Sequence, residues 1–161
     1  MMKILLAIDG SSCSEAVVEA VATRIWSPDT RVRIITVVET PFVPVSEKEG
    51  YYAQFQETTE KAAHSKGQAV IDKAVAAILT GENKALRITA KVLKGSPSQI
   101  ILYEAEQWDA DLIFVGSHGY TAAEQAYLGS VSQVVATHAK CSVEIVRRKK
   151  SSESEVSPEV K

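Results

Sequence analysis

Short apolar runs recur along the chain, and between them the hydrophobic period lengthens from two to about 3.6 residues. The runs are "KILLAI" (3–8), "VRIITVV" (32–38), "LRITAKVL" (86–93), "DLIFVG" (111–116) and "SVEIVR" (142–147). Their length and their Val and Ile content predict strands. The first, second and fourth are nearly unbroken in apolar residues, the pattern of parallel strands covered on both faces. After "IDG", Ser12 and Glu15 have the form of a capping box. Ala16, Val17, Ala20, Val21 and Ile25 follow on one face, predicting a helix that ends before Pro28. A longer helix is predicted from Glu47 to Leu79, with Phe55, Ala62, Ala69, Ile71, Val75, Ile78 and Leu79 as its apolar positions. Ser96 as cap and Pro97 in the first turn open a third helix. Ser130 caps a fourth, running through Val131, Val134, Val135 and His138.

The resulting order, β-α-β-α-β-α-β-α-β, predicts an α/β fold: a doubly wound, Rossmann-like, five-stranded and mostly parallel sheet with helices on both faces. Such sheets bind ligands beyond the carboxyl ends of their strands, where the strand order reverses. For the order 3-2-1-4-5 that point lies between the strand ending at Asp9 and the strand ending at Gly116. Residues 1–148 make one domain, and the "KKSSESEVSPEVK" that follows (149–161) reads as a solvated, disordered charged tail.

Composition narrows the partners. Eighteen basic and 20 acidic residues give a net charge of −2, which provides no electrostatic footprint for nucleic acid or an anionic membrane. Cys13 and Cys141 are far apart and frame no disulfide scaffold, so both are expected to be reduced. The opening "MMKILLAIDG" holds an apolar run too short for a signal peptide or a membrane span, and a cytoplasmic location is expected. Three histidines, His64, His118 and His138, form no metal-binding constellation.

Candidate chemistry concentrates in "VGSHGYTAAEQAYLGSVSQVV" (115–135), where Gly116, Gly119, Gly129 and Ser130 stand in the spacing G-x2-G-x9-G-S after a strand and before a helix. Any one of these glycines is read most plainly as a turn residue. The spaced set points to an anion. Glycine lets backbone N–H groups approach phosphate and reaches the positive φ values of an anion-holding nest, while a helix start adds N–H groups and partial positive charge. Neither GxxxxGK[ST] nor GxGxxG is present.

Together with "ILLAIDGSSCSEAV" and "GSPSQIILYEAEQWDADLIFVGSHG", this glycine pattern resembles the universal stress protein family over residues 2–147. The resemblance implies ATP, ADP or AMP held at the ends of strands 1, 2 and 4. It places Asp9 near ribose and adenine, and gives the adenine edge to the backbone of Val37, with Val38 one register step away. Gly116, next to Val115, falls against ribose and phosphate. Gly119 and Gly129 fall on phosphates, and Ser130 with the Val131 amide closes the site. A magnesium ion arriving with the nucleotide would find one carboxylate, Asp9. The family also pairs its last strands, which with apolar Val143, Ile145 and Val146 on an edge predicts a homodimer.

The expected function is that of a nucleotide-binding regulatory protein of the stress response with slow hydrolysis or none, since the loop holds no lysine, no assigned base and no arginine finger. The alternative is an interaction scaffold with a vestigial pocket. A phosphorylation receiver is excluded, because it needs an aspartate at the end of strand 3, where the chain reads "KVLKG". The downstream protein partner is not identified by the sequence.

Overall fold

The computed structural model describes residues 1–39, 49–119 and 127–148. Its elements are β1 (Lys3–Ala7), α1 (Ser12–Ala22), β2 (Arg31–Val38), α2 (Glu49–Ile78), a 3-10 turn (Gly81–Ala85), β3 (Arg87–Lys94), α3 (Pro97–Trp108), β4 (Leu112–Gly116), α4 (Ser130–His138) and β5 (Ser142–Val146). The five strands form one sheet of order β3-β2-β1-β4-β5, and every pairing is parallel. The three nearly continuous apolar runs are the three central strands. This follows from burial on both faces: Ile4, Leu5 and Leu6 of β1 are all fully inaccessible to solvent.

Two cores result. Ile4, Leu6, Val32, Ile34 and Phe114 pack against Val17 and Val21 of α1 and Ile71 and Ile78 of α2. On the other face, Leu5, Ile35, Ile113 and Val115 meet Ile101 and Ala105 of α3 and Val135 of α4. Each large aliphatic side chain buried this way stabilises the fold by about 1.5–3 kcal/mol. Along α2 the buried stripe is Gly67, Ile71, Ala74 and Ile78. Phe55, Ala62 and Ala69, expected among its apolar positions, are exposed because they lie off that stripe. Gly67 lets the helix come close to the sheet, where a Cβ would stand 3.0 Å from Val92 Cγ1.

Two helix starts, those of α1 and α4, depart from expectation by one residue. The cap of α1 is Ser11, not Ser12; its Oγ accepts from the Ser14 N–H at 3.2 Å. The cause lies upstream, where Gly10 turns at φ 82° and Asp9 Oδ1 accepts from the Ser11 N–H at 2.9 Å. α1 stops at Ala22, leaving Ile25 outside it and 80% exposed. The cap position of α4 is Gly129, and Ser130 is its first helical residue. Ser96 does occupy the cap position of α3, but its side chain makes no capping bond. The predicted start of the second helix at Glu47 and the tail 149–161 fall outside the described residues.

Candidate functional site

The site forms where neighbouring strands end at different heights. β1 makes its last sheet bond from the Ile8 N–H to the Ile35 carbonyl (3.0 Å), then turns away at Gly10. β2 continues three residues further beside β3, its register running to Val38 opposite Lys94. Backbone polar groups of a strand point alternately to its two neighbours. The Ile35 carbonyl faces β1, and the Val38 carbonyl faces the β3 side, where it accepts from the Gly95 N–H at 3.1 Å. The N–H and C=O of Val37 therefore face the space above β1. Of the two register choices, it is Val37 whose backbone points to the crevice.

On the other side of that space β4 ends at Gly116. The Ser117 N–H donates to the Val146 carbonyl (2.9 Å), and the Gly129 N–H donates to the Ser117 carbonyl (2.8 Å). Buried Ser132 closes the same junction: its hydroxyl lies 3.0 Å from the Ser117 carbonyl and 2.9 Å from that of Gly129. The two ends of the glycine loop are thus clamped together at the amino end of α4. Residues 120–126 lie outside the described residues.

The glycines are required for closeness rather than for unusual backbone angles. Positive φ occurs at Gly10 and Gly95, while Gly116, Gly119 and Gly129 lie outside that region, correcting the nest geometry expected from the sequence. A Cβ on Gly116 would stand 2.9 Å from Cys13 Cβ and 3.2 Å from the Cys13 carbonyl carbon. On Gly129 it would stand 3.2 Å from the Ser117 carbonyl oxygen, and on Gly119 it would stand 3.0 Å from Asp9 Oδ2.

Asp9 is held from its other oxygen. Oδ1 accepts from the Ser11 N–H and from the Ser14 hydroxyl (2.6 Å), while the Asp9 N–H donates to Ser14 Oγ at 2.9 Å. One carboxylate thereby organises the start of α1 and presents Oδ2 to the loop.

Asp9, Val37, Val115, Gly116, Gly119, Gly129, Ser130 and Val131 all line one open cleft of about 790 Å³, counted to its solvent-facing mouth. Sequence reasoning did not assign to it Ala7, Ile35 and Ser14, nor Pro97 and Ile101 of α3, nor Ser132. Ser14 and Ser132 look like ordinary helix serines until their partners are known, and the approach of α3 is a property of the topology. Ile35, Val37, Val115, Pro97 and Ile101 make an apolar slot suited to a flat heterocycle. Asp9 offers an acceptor for hydroxyls, and the first amides of α4 suit an anion. No lysine or arginine is among the described lining residues; His118 is, with Nδ1 at 3.2 Å from Ser117 Oγ. Among the described residues no group of three or more His, Cys, Asp or Glu is placed to hold a metal ion, and no helix is long and apolar enough to cross a membrane.

The universal stress protein family model matches residues 1–147. A Staphylococcus aureus (strain USA300) protein named for the same family is 32% identical over 145 residues, which are 89% of this chain and 82% of that protein. The solved structure of the universal stress protein UspA from Lactobacillus plantarum matches with a TM-score of 0.75 at 18% identity, over 91% of this chain and 97% of that one. A universal stress protein solved in complex with cAMP matches at 25% identity with a TM-score of 0.54, over 91% and 96% of the two chains.

Proposed function

The chain belongs to the universal stress protein family, and on that premise we propose that it is a regulatory protein of the stress response that binds an adenine nucleotide, ATP, ADP or AMP, in the cleft above β1. The observation that carries this reading is the convergence of the strand-end residues, the three close-approach glycines and the amino end of α4 on one cleft. Adenine occupies the apolar slot, with its edge toward the Val37 backbone. Ribose hydroxyls lie toward Asp9, and the phosphate lies against Gly119, Gly129 and the Ser130 and Val131 amides. The cAMP complex of a related chain supports an adenine ligand for this geometry.

Hydrolysis is slow or absent in this reading. Phosphoryl transfer draws on positioned cations and an oriented nucleophile, and the described lining supplies one carboxylate whose Oδ1 already accepts two hydrogen bonds. A magnesium ion arriving with a nucleotide would meet Asp9 as its one carboxylate there. The protein acts as a cytoplasmic homodimer joined through the outer edge of β5, which carries Val143 and Ile145.

The test is to denature freshly purified protein, identify the released small molecules by mass spectrometry, and titrate the emptied protein with ATP, AMP and cAMP by calorimetry. Binding of an adenine nucleotide is expected. No binding of any of them, with or without magnesium, would overturn the reading and leave an interaction scaffold with an unused cleft.

A further inference from the structure

We propose that Ser14 and Ser132, two buried serines outside the glycine pattern, are positioning residues that fix the two polar ends of the cleft. Ser14 sets the Asp9 carboxylate for ribose, and Ser132 sets the first amides of α4 for phosphate. The proposal rests on the adenine-nucleotide reading and adds to it the groups that hold each contact in place. Both serines line the cleft, and their exposures are only 5% and 2%, so each hydroxyl is spent on protein partners rather than on water.

Ser14 meets Asp9 twice. Its hydroxyl donates to Asp9 Oδ1 at 2.6 Å and accepts from the Asp9 N–H at 2.9 Å. A serine hydroxyl has one proton, and here it is committed to the carboxylate in a short, charge-assisted bond. Backbone and side chain of Asp9 are thereby held through one oxygen atom. That oxygen is anchored in turn, because the Ser14 N–H donates to the Ser11 Oγ that caps α1. The terminal torsion of an aspartate is otherwise broad. With Oδ1 fixed, Oδ2 is kept on the Gly119 side of the cleft. In the absence of the Ser14 hydroxyl the Ser11 N–H still reaches Oδ1, but the tie between the carboxylate and its own backbone is lost.

Ser132 acts at the other end. Its hydroxyl lies 2.9 Å from the Gly129 carbonyl, a contact local to its own helix, and 3.0 Å from the Ser117 carbonyl at the end of β4, fifteen residues away. Ser117 is itself pinned to the sheet by its N–H on the Val146 carbonyl, and its carbonyl also accepts from the Gly129 N–H. Sheet, Ser117 and the start of α4 therefore form one chain of bonds, which Ser132 closes from inside the helix. Gly129 at the cap position makes no side-chain capping bond, so the first amides of α4 are not turned inward by a cap. Their direction depends on where α4 sits against Ser117, and Ser132 fixes that seat.

Calorimetric titration of the emptied full-length protein with AMP, adenosine and 2′,3′-dideoxy-AMP separates the two roles. The ratio of the adenosine and AMP dissociation constants reads the phosphate contact, and the ratio for dideoxy-AMP and AMP reads the ribose contact. Each is expected to be about tenfold or more in the parent, the size of a lost polar contact. Ser14→Ala is expected to shrink the ribose ratio several-fold and leave the phosphate ratio unchanged; Ser132→Ala is expected to do the reverse. Ser14→Thr and Ser132→Thr keep a hydroxyl and are expected to retain both ratios. Alanine variants whose two ratios fall together or not at all, or a ratio lost equally in the alanine and threonine variants, would show serines that serve packing alone and would overturn the proposal while the site stands. A parent that binds none of the three ligands would instead remove the adenine-nucleotide reading itself.

Discussion

Gly116 and Gly119 share a motif, but their surroundings give them different tasks. A side chain on Gly116 would drive into the Cβ and backbone of Cys13 at the start of α1, so neither neighbour yields cheaply. Gly116→Val is expected to destabilise the fold by about 1–3 kcal/mol, the usual cost of overpacking, visible as a lower urea midpoint. At Gly119 the first neighbour is the tip of Asp9, on the cleft side. Gly119→Val is expected to leave the urea midpoint within the equivalent of about 0.5 kcal/mol of the parent, while weakening nucleotide binding at least tenfold. Equal loss of stability in both variants would show that the two glycines serve packing alone. The sequence exposes the glycine spacing directly, because a spaced set after a strand is a pattern in one dimension. Why each position excludes a side chain is not legible there, since Cys13 and Asp9 are about a hundred residues away. Hence the expectation of positive φ at these glycines failed, although their clustering at one cleft did not.

Among the elements, the central strands are readable because burial on both faces leaves an unbroken apolar run. Helix starts are less so, since a serine pair such as Ser11 and Ser12 fits a cap in either register until Gly10 and Asp9 fix the turn. The approach of α3 to the cleft depends on a long-range cluster that no local pattern announces. Glu104 is buried on α3 and bonds both Arg33 of β2 at 3.2 Å and Lys91 of β3 at 3.0 Å. Arg33 lies over the Trp108 ring at 4.4 Å. Because Pro97 and Ile101 on the same helix wall the cleft, Glu104→Ala is expected to act twice. It should cost about 1–3 kcal/mol for polar groups left without their acceptor and should weaken nucleotide binding as the wall loosens. Denaturation and calorimetry on the same sample measure both, and a stable variant with parental affinity would contradict the coupling.

For the whole molecule, the charge pattern sets the response to pH. Hydrogen bonding and charge from Lys73 hold Glu15 below the ordinary carboxylate value. The Ser27 hydroxyl and then the amino terminus do so for Asp29, and Lys94 with Gln56 does so for Glu60. A carboxylate lowered on folding contributes stability that is present above its unfolded value, about 4, and is lost as pH falls through the folded one. At the other end, burial pushes the Cys141 thiol up, a contribution present below the usual thiol value and lost as pH rises through the raised one. These groups are exposed or half-exposed, so the effects are modest and the ion pairs weaken with salt. The melting temperature is expected to fall on acidification below about pH 4.5 and to fall less steeply at high salt; a rise on acidification would contradict the assignment. Pairing through the β5 edge predicts twice the chain mass in light scattering at micromolar concentration, and a monomer there would remove the dimer from the account. The central claim, that one adenine nucleotide sits above β1, is tested most directly by titrating isotope-labelled protein with AMP and following backbone amide resonances. The account predicts saturable shifts centred on Asp9, Val37, Gly116, Gly119, Ser130 and Val131, with β3 and the far ends of α1 and α2 unmoved. Absence of shifts, or shifts centred on another surface, would contradict it.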